Sequence, residues 1–200
     1  MSAQVPEVLC IAGSPRRHGN SEQLLDALIE GVGAAGGITT RLVARDAGVH
    51  PCLGCNACSK DGRCIQRDGM DAVYPLLDGA DAIAVASPVF FGTVPAMLKL
   101  LLDRCQPYWA RRYVLHEPAP ATRRPGAILV VGGGGDPYGT SCAITPVRSV
   151  FAVLSVAAPD ERVLGVVGPD KRGEVASEPL VLERATALGT ALTDAVRSAG

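Results

Sequence analysis

Histidine is scarce, charge is balanced and long apolar runs are missing, and each shortage removes a class of function. The three histidines, His18, His50 and His116, stand far apart and form no nucleophile or metal constellation with one another. His50 adjoins a cysteine-rich segment, where a solvated loop histidine is the expected role. Lys and Arg number 19 against 20 Asp and Glu, a formal net charge of -1. That balance gives no electrostatic footprint for nucleic acid or an anionic membrane. No apolar run approaches the ~20 residues that span a bilayer, and residues 1–7 run into a strand without a signal-peptide core. No glycine loop ends in Gly-Lys-Ser or Gly-Lys-Thr, so a Walker loop and nucleoside triphosphate hydrolysis are not expected. No linker or low-complexity run divides the 200 residues, and 48% hydrophobic content fills one core, so residues 1–200 read as a single domain. The protein is expected to be cytoplasmic and soluble, with small molecules or redox proteins as partners.

Cysteine, by contrast, is concentrated. Seven are present, and Cys52, Cys55, Cys58 and Cys64 fall within thirteen residues, in PCLGCNACSKDGRC. Three thiolates at CxxCxxC spacing with a fourth close behind suit a compact iron-sulfur cluster, because soft ligands must converge on one small object. Zinc is one alternative, although structural zinc sites usually join two CxxC pairs across a spacer of about 12 to 20 residues. Free thiols lining a loop are another. An odd cysteine count without a secretory leader argues against a disulfide framework and for reduced thiols. Cys10 in a strand, Cys142 near a helix start and Cys105 read as packing residues.

Apolar periodicity gives strands over residues 8–12, 38–43, 82–86, 127–131 and 163–167. Helices are expected over residues 21–32, with Asn20 and Gln23 as a capping-box-like start, over 70–77, over 98–102 opened by Pro95, over 145–154, and through Val181, Ala185, Leu188 and Leu192. Strands alternating with helices imply an α/β fold, a doubly wound five-stranded parallel sheet with ligands at the C-terminal strand ends. The chemistry is therefore expected on the loops after the first, third and fourth strands.

The first of these loops is Gly13-Ser14-Pro15-Arg16-Arg17-His18-Gly19-Asn20-Ser21. A hydroxyl, two guanidiniums and an Asn-Ser pair at a helix N-terminus make a monophosphate cradle, since free N–H groups and the helix dipole favour an anion. An ordinary capped turn is the alternative. The second loop, residues 87–94, sets Phe90 beside Phe91 and Gly92 in a chain with only three Phe and four Tyr. It offers a flat, partly apolar ledge of the kind an isoalloxazine ring needs, unless the rings are simply core. The third, Gly132-Gly133-Gly134-Gly135-Asp136-Pro137-Tyr138-Gly139, permits close backbone approach to a ligand, or is a flexible turn. Gly31-Val32-Gly33-Ala34-Ala35-Gly36 matches GxGxxG but follows a helix and precedes a strand, the reverse of a dinucleotide fingerprint. It reads as a helix end with a glycine stop, so a nicotinamide would have to stack on a bound flavin.

The ordered set GSPRRHGNS, PCLGCNACSKDGRCIQRDGM, ASPVFFGTVPAMLKLLLDR and VVGGGG resembles the flavodoxin-like FMN reductase family, and within it the iron-sulfur flavoproteins, over roughly residues 5–155. The resemblance implies an FMN phosphate held by Ser14, Arg16, Asn20 and Ser21. It implies a flavin ring against Pro88, Val89, Phe90, Phe91 and Gly92, with help from Gly132, Gly133 and Gly134. It further implies Cys52, Cys55, Cys58 and Cys64 as ligands of a [4Fe-4S] cluster in a loop at residues 50–66, close to a flavin across the subunit interface of a homodimer or homotetramer. Gly69 departs from the family pattern, in which an acidic residue is common, and this weakens any helix-capping role at that position. The function implied is an FMN-dependent oxidoreductase passing electrons between the cluster, FMN and a small-molecule or ferredoxin-type donor or acceptor. No side chain need act as nucleophile or acid. The alternatives are an NAD(P)H-dependent FMN or quinone reductase whose cysteines hold no cluster, and a zinc-stabilised binding module without catalysis.

Overall fold

The computed structural model describes residues 5–135 and 137–199. Residues 1–4 of the opening segment and Asp136 of the glycine loop lie outside the described residues. Along the chain run β1 (Glu7–Ala12), α1 (Asn20–Ala34), β2 (Ile38–Val43), α2 (Cys58–Asp61), α3 (Met70–Gly79), β3 (Ala82–Pro88), α4 (Ala96–Asp103), α5 (Gln106–Tyr113), β4 (Arg124–Gly132), α6 (Ser141–Val153), β5 (Val156–Ala157), β6 (Val163–Val167) and α7 (Pro179–Ala199). The strands pair in parallel in the order β2-β1-β3-β4-β6. All five expected strands are present in flavodoxin-like order. The two-residue β5 is an addition, pairing with Arg124 and Pro125 at the start of β4.

Burial on both faces explains the continuous apolar runs of the central strands. Along β1, Val8, Cys10 and Ala12 pack with Leu24, Leu28 and Leu192 of α1 and α7. Leu9 and Ile11 point the other way, into a layer with Met70, Leu98 and Phe151 of α3, α4 and α6. Cys10 and Cys105 belong to these layers, and burial pushes both thiols up to about 12, as packing residues require. No helix among the described residues is long and apolar enough to cross a membrane.

The GxGxxG segment proves to be a helix-crossing device. A Cβ on Gly31 would lie 1.9 Å from the Thr186 carbonyl oxygen, and one on Gly189 would lie 2.0 Å from that of Leu28. The backbones of α1 and α7 thus meet directly, and Gly36, with φ of +73°, turns the chain out of α1 as a glycine stop does. Gly33, in the same helix, has open space where its Cβ would be. We therefore expect Gly31→Ala to destabilise the fold by about 1–3 kcal/mol through overpacking. Gly33→Ala should be neutral or stabilising by up to about 1 kcal/mol through helix propensity. Urea unfolding of the two variants measures the difference; equal effects would refute the crossing as the constraint.

Candidate functional site

Parallel strands deliver their C-terminal loops to one edge, and the change of direction in strand order between β1 and β3 opens a crevice there. The N–H of Gly13 donates to the carbonyl of Ala86 at 2.8 Å, tying the loop after β1 to the last residues of β3. A Cβ on Gly13 would fall 2.6 Å from Leu98 Cδ2. Ser14 is buried, and its Oγ accepts from the Arg16 N–H at 3.0 Å and donates to the Arg16 carbonyl at 3.1 Å. Behind this turn Arg45 pairs with Glu22, both side chains largely buried. Arg45 donates to the Ser14 carbonyl at 3.0 Å, and Glu22 accepts the His18 N–H at 2.7 Å. Burial alone would raise the Glu22 carboxyl, but the hydrogen bonds from Arg45 and His18 outweigh it and hold it low. The N-cap of α1 is Gly19 and no side chain caps the helix, so its first-turn N–H groups remain available to an anion.

Ser14, Arg16, Asn20 and Ser21 line one 80 Å³ pocket together with Pro88, Val89, Phe90 and Gly133. A 440 Å³ cleft adjoins it, lined by Val89, Phe91, Gly132, Gly133 and Gly134, with Val89, Gly133 and Asp170 common to both. The three loops expected to carry chemistry thus meet. Gly92 lines neither space. At φ of +69°, following Phe91 at +46°, it forms a turn closed by reciprocal Phe90–Thr93 hydrogen bonds of 2.8 and 3.0 Å, which leaves the Phe91 ring fully exposed.

Asn20 departs from expectation. In place of a capping box, its Nδ2 donates to the carbonyls of Pro169 at 3.3 Å and Lys171 at 2.9 Å, while Oδ1 accepts the Val175 N–H at 3.2 Å. The side chain is fully engaged by the loop after β6, leaving its backbone N–H at the helix start. That loop brings Asp170 and Arg172 into the pocket, two residues the sequence reading passed over. The rule that ligands gather at C-terminal strand ends applies to β6 as it does to β1.

The cysteine loop forms a second site beside α5. Cys52, Cys55, Cys58 and Cys64 line a single 240 Å³ cavity, with Arg104, Gln106 and Pro107 as its wall. Cys52 and Cys55 are exposed, Cys58 is buried and Cys64 is intermediate. Burial, and then the neighbouring sulfurs of Cys64, Cys52 and Cys55, push the Cys58 thiol up. Among the described residues no three His, Cys, Asp or Glu side chains gather as ligands of one metal ion; the sulfurs stand around a cavity. Gln66 Nε2 donates to the Pro51 carbonyl at 3.1 Å, and Arg111 Nε donates to that of Gly62 at 2.9 Å, tying the loop to itself and to α5. His50 keeps its ring in solvent, 75% exposed.

Beneath the loop lies a buried ion pair. Arg104 Nη1 donates to Asp68 Oδ2 at 2.5 Å and to the His50 carbonyl at 2.9 Å, and Nη2 donates to Asp68 Oδ1 at 3.2 Å. Asp68 also accepts the N–H groups of His50 and Met70, each at 2.9 Å. The residue before Gly69 therefore satisfies the start of α3. Gly69 itself must be small, since its Cβ would fall 1.6 Å from the Ala47 carbonyl oxygen. The departure at Gly69 thus leaves helix capping intact, transferred by one residue.

A family model described as NADPH-dependent FMN reductase matches residues 6–166. An iron-sulfur flavoprotein of Archaeoglobus fulgidus is 31% identical over 188 residues, 94% of this chain and 79% of that protein. Another, of Methanosarcina thermophila, is 36% identical over 123 residues, 62% of this chain and 61% of that one. Among solved structures, the NAD(P)H:quinone oxidoreductase of Methanothermobacter marburgensis aligns with a TM-score of 0.67 at 19% identity, over 94% of this chain and 98% of that one. RosB with a bound 8-demethyl-8-formylriboflavin-5'-phosphate aligns at 0.74 and 13% identity, over 97% and 80%. At such identities these structures speak to the fold alone.

The ion pair makes stability depend on acid. Burial would raise the Asp68 carboxyl, but the Arg104 hydrogen bond and the two backbone N–H groups hold it at about 2, below the ~3.9 of a free aspartate. Its contribution, on the order of 2–3 kcal/mol, is complete above the unfolded value and is lost as pH falls from about 4 towards 2. Urea unfolding across that range should show a shallower acid limb in Asp68→Asn than in the parent; identical slopes would count against the pair.

Proposed function

The chain belongs to the NADPH-dependent FMN reductase family, in its iron-sulfur flavoprotein branch, and is a flavin-dependent oxidoreductase that uses FMN; we propose that Cys52, Cys55, Cys58 and Cys64 hold a [4Fe-4S] cluster exchanging electrons with that flavin. The observation that carries the reading is the convergence of four sulfurs on one 240 Å³ cavity backed by a buried arginine. In a four-iron cluster each thiolate binds a different iron, so the sulfurs belong around a cavity and not on a point. When bound, FMN supplies two-electron and the cluster one-electron transfer.

The chain's own residues bind and orient. Ser14, Arg16 and the first turn of α1, including the backbone at Asn20 and Ser21, receive the FMN phosphate, with Arg172 as a further cation at that pocket. Pro88, Val89, Phe90, Phe91 and the Gly92 turn offer the ring a ledge, and Gly132, Gly133 and Gly134 allow close backbone approach to it. NAD(P)H, as a donor, would stack on the flavin, because the chain's GxGxxG lies in a helix crossing. Leu53, Ile65, Phe91 and Trp109 leave apolar surface exposed around both sites, and a second copy, in a homodimer or homotetramer, is the partner this reading assigns to them. A ferredoxin-type or small-molecule donor and acceptor completes it.

Two measurements test the assignment. Ser14→Ala combined with Arg16→Ala should weaken FMN retention, since charge-assisted hydrogen bonds contribute about 1.5–3 kcal/mol each, while riboflavin binding changes little. Equal FMN affinity in variant and parent, by fluorescence titration, would refute the phosphate placement. Anaerobically prepared protein should contain about four irons and four sulfides per chain, and Cys55→Ala should lose the iron while keeping FMN. Flavin without iron or sulfide after reconstitution would leave the plain FMN or quinone reductase; stoichiometric zinc without flavin would leave the binding module.

A further inference from the structure

Arg104 is the largest charged side chain in the interior, 1% exposed, and it forms part of the wall of the cysteine cavity. Neutralising Asp68 occupies one N–H from each terminal nitrogen. Nη2 is also 3.6 Å from Cys64 Sγ in donor geometry, while Nε is buried without a partner among the described residues. A guanidinium placed only to balance a carboxylate needs no sulfur contact, and this one lines the cavity of four thiols. The carbonyl of Arg104 accepts from Tyr74 Oη at 2.9 Å, so its backbone is fixed as firmly as its head group.

We propose that Arg104 is a positioning residue that donates a charge-assisted hydrogen bond to the Cys64 sulfur and thereby raises the reduction potential of the cluster held there, with Asp68 as the opposing charge. The inference rests on the cluster reading above. Its physics is that reduction adds negative charge to the cluster and its sulfurs. An N–H donor and a positive charge at that distance favour the reduced form, and a nearby carboxylate disfavours it. The pair therefore sets the potential by difference, and removing either member moves it in opposite directions.

The experiment is an EPR-monitored redox titration of the full chain, anaerobically reconstituted, with iron, sulfide and FMN measured on each sample. Arg104→Gln should shift the cluster midpoint to more negative values and Asp68→Asn to more positive ones. Arg104→Lys, which keeps the charge but not the fork, should fall between parent and Arg104→Gln. Should Arg104→Gln fail to retain iron, Asp68→Asn and Arg104→Lys still read the opposing signs. Iron-loaded variants at the parent's potential, or shifts of one sign for both members of the pair, would overturn the proposal while leaving the cluster in place. A parent that keeps FMN and takes up no iron removes the cluster reading, and this inference with it.

Discussion

A guanidinium removed from water must find anions and carbonyls to replace its hydration, and Arg104 finds them on one loop. Its position at the end of α4 is set by apolar packing of Leu98, Leu101 and Leu102. The head group then fixes Asp68, His50 and Cys64 relative to that helix. The cysteine segment has little apolar side-chain burial of its own. What holds four sulfurs around one cavity is a cation anchored from the far side, together with the α5 contact through Arg111 and Gly62. Loss of one partner would leave an uncompensated buried charge, an effect of about 3–5 kcal/mol.

The same arrangement occurs twice at the C-terminal edge of the sheet. Behind the loop after β1, Arg45 donates to the Ser14 carbonyl and Glu22 accepts a backbone N–H from His18. Behind the cysteine loop, Arg104 donates to the His50 carbonyl and Asp68 accepts backbone N–H groups from His50 and Met70. In each pair the cation holds a loop oxygen and the carboxylate holds loop N–H groups. Buried ion pairs of this kind add little to stability over an apolar replacement; here they fix the path of two polar loops that cannot supply a core.

The parallel sheet was legible because its signals are local: apolar runs of about five residues in β1, β3, β4 and β6 and the shorter apolar ends of β2, with β2 and β6 found at their observed limits. What escaped the sequence reading depends on distance. Asn20 looks like part of a capping box because Gln23 is three residues away, whereas its actual partners lie some 150 residues later. Arg104 carries no local signal, since its acceptors follow β2 and not α4. Helix α5, QPYWARRY, buries only Pro107, Tyr108 and Ala110, too few to give a periodic signal. The residues that line the cleft were readable as neighbours because each lies at or just after the C-terminal end of a strand; Asp170 and Arg172 obey the same geometry in a segment whose own motif is weak.

The bonds from Asn20 to the loop after β6 also bear on how the protein matures. The parts of the cysteine cavity lie within about 60 residues of one another, and contacts of short separation form early. The cleft at the strand ends draws on the loop held by the Val175–Asn20 bond, and the α1–α7 crossing on Gly189, contacts of high sequence separation that form late and slowly. The two sites therefore close at different stages of folding, the cysteine cavity first. A nascent chain would then carry an assembled ring of thiols before the cleft beside its glycine loop exists.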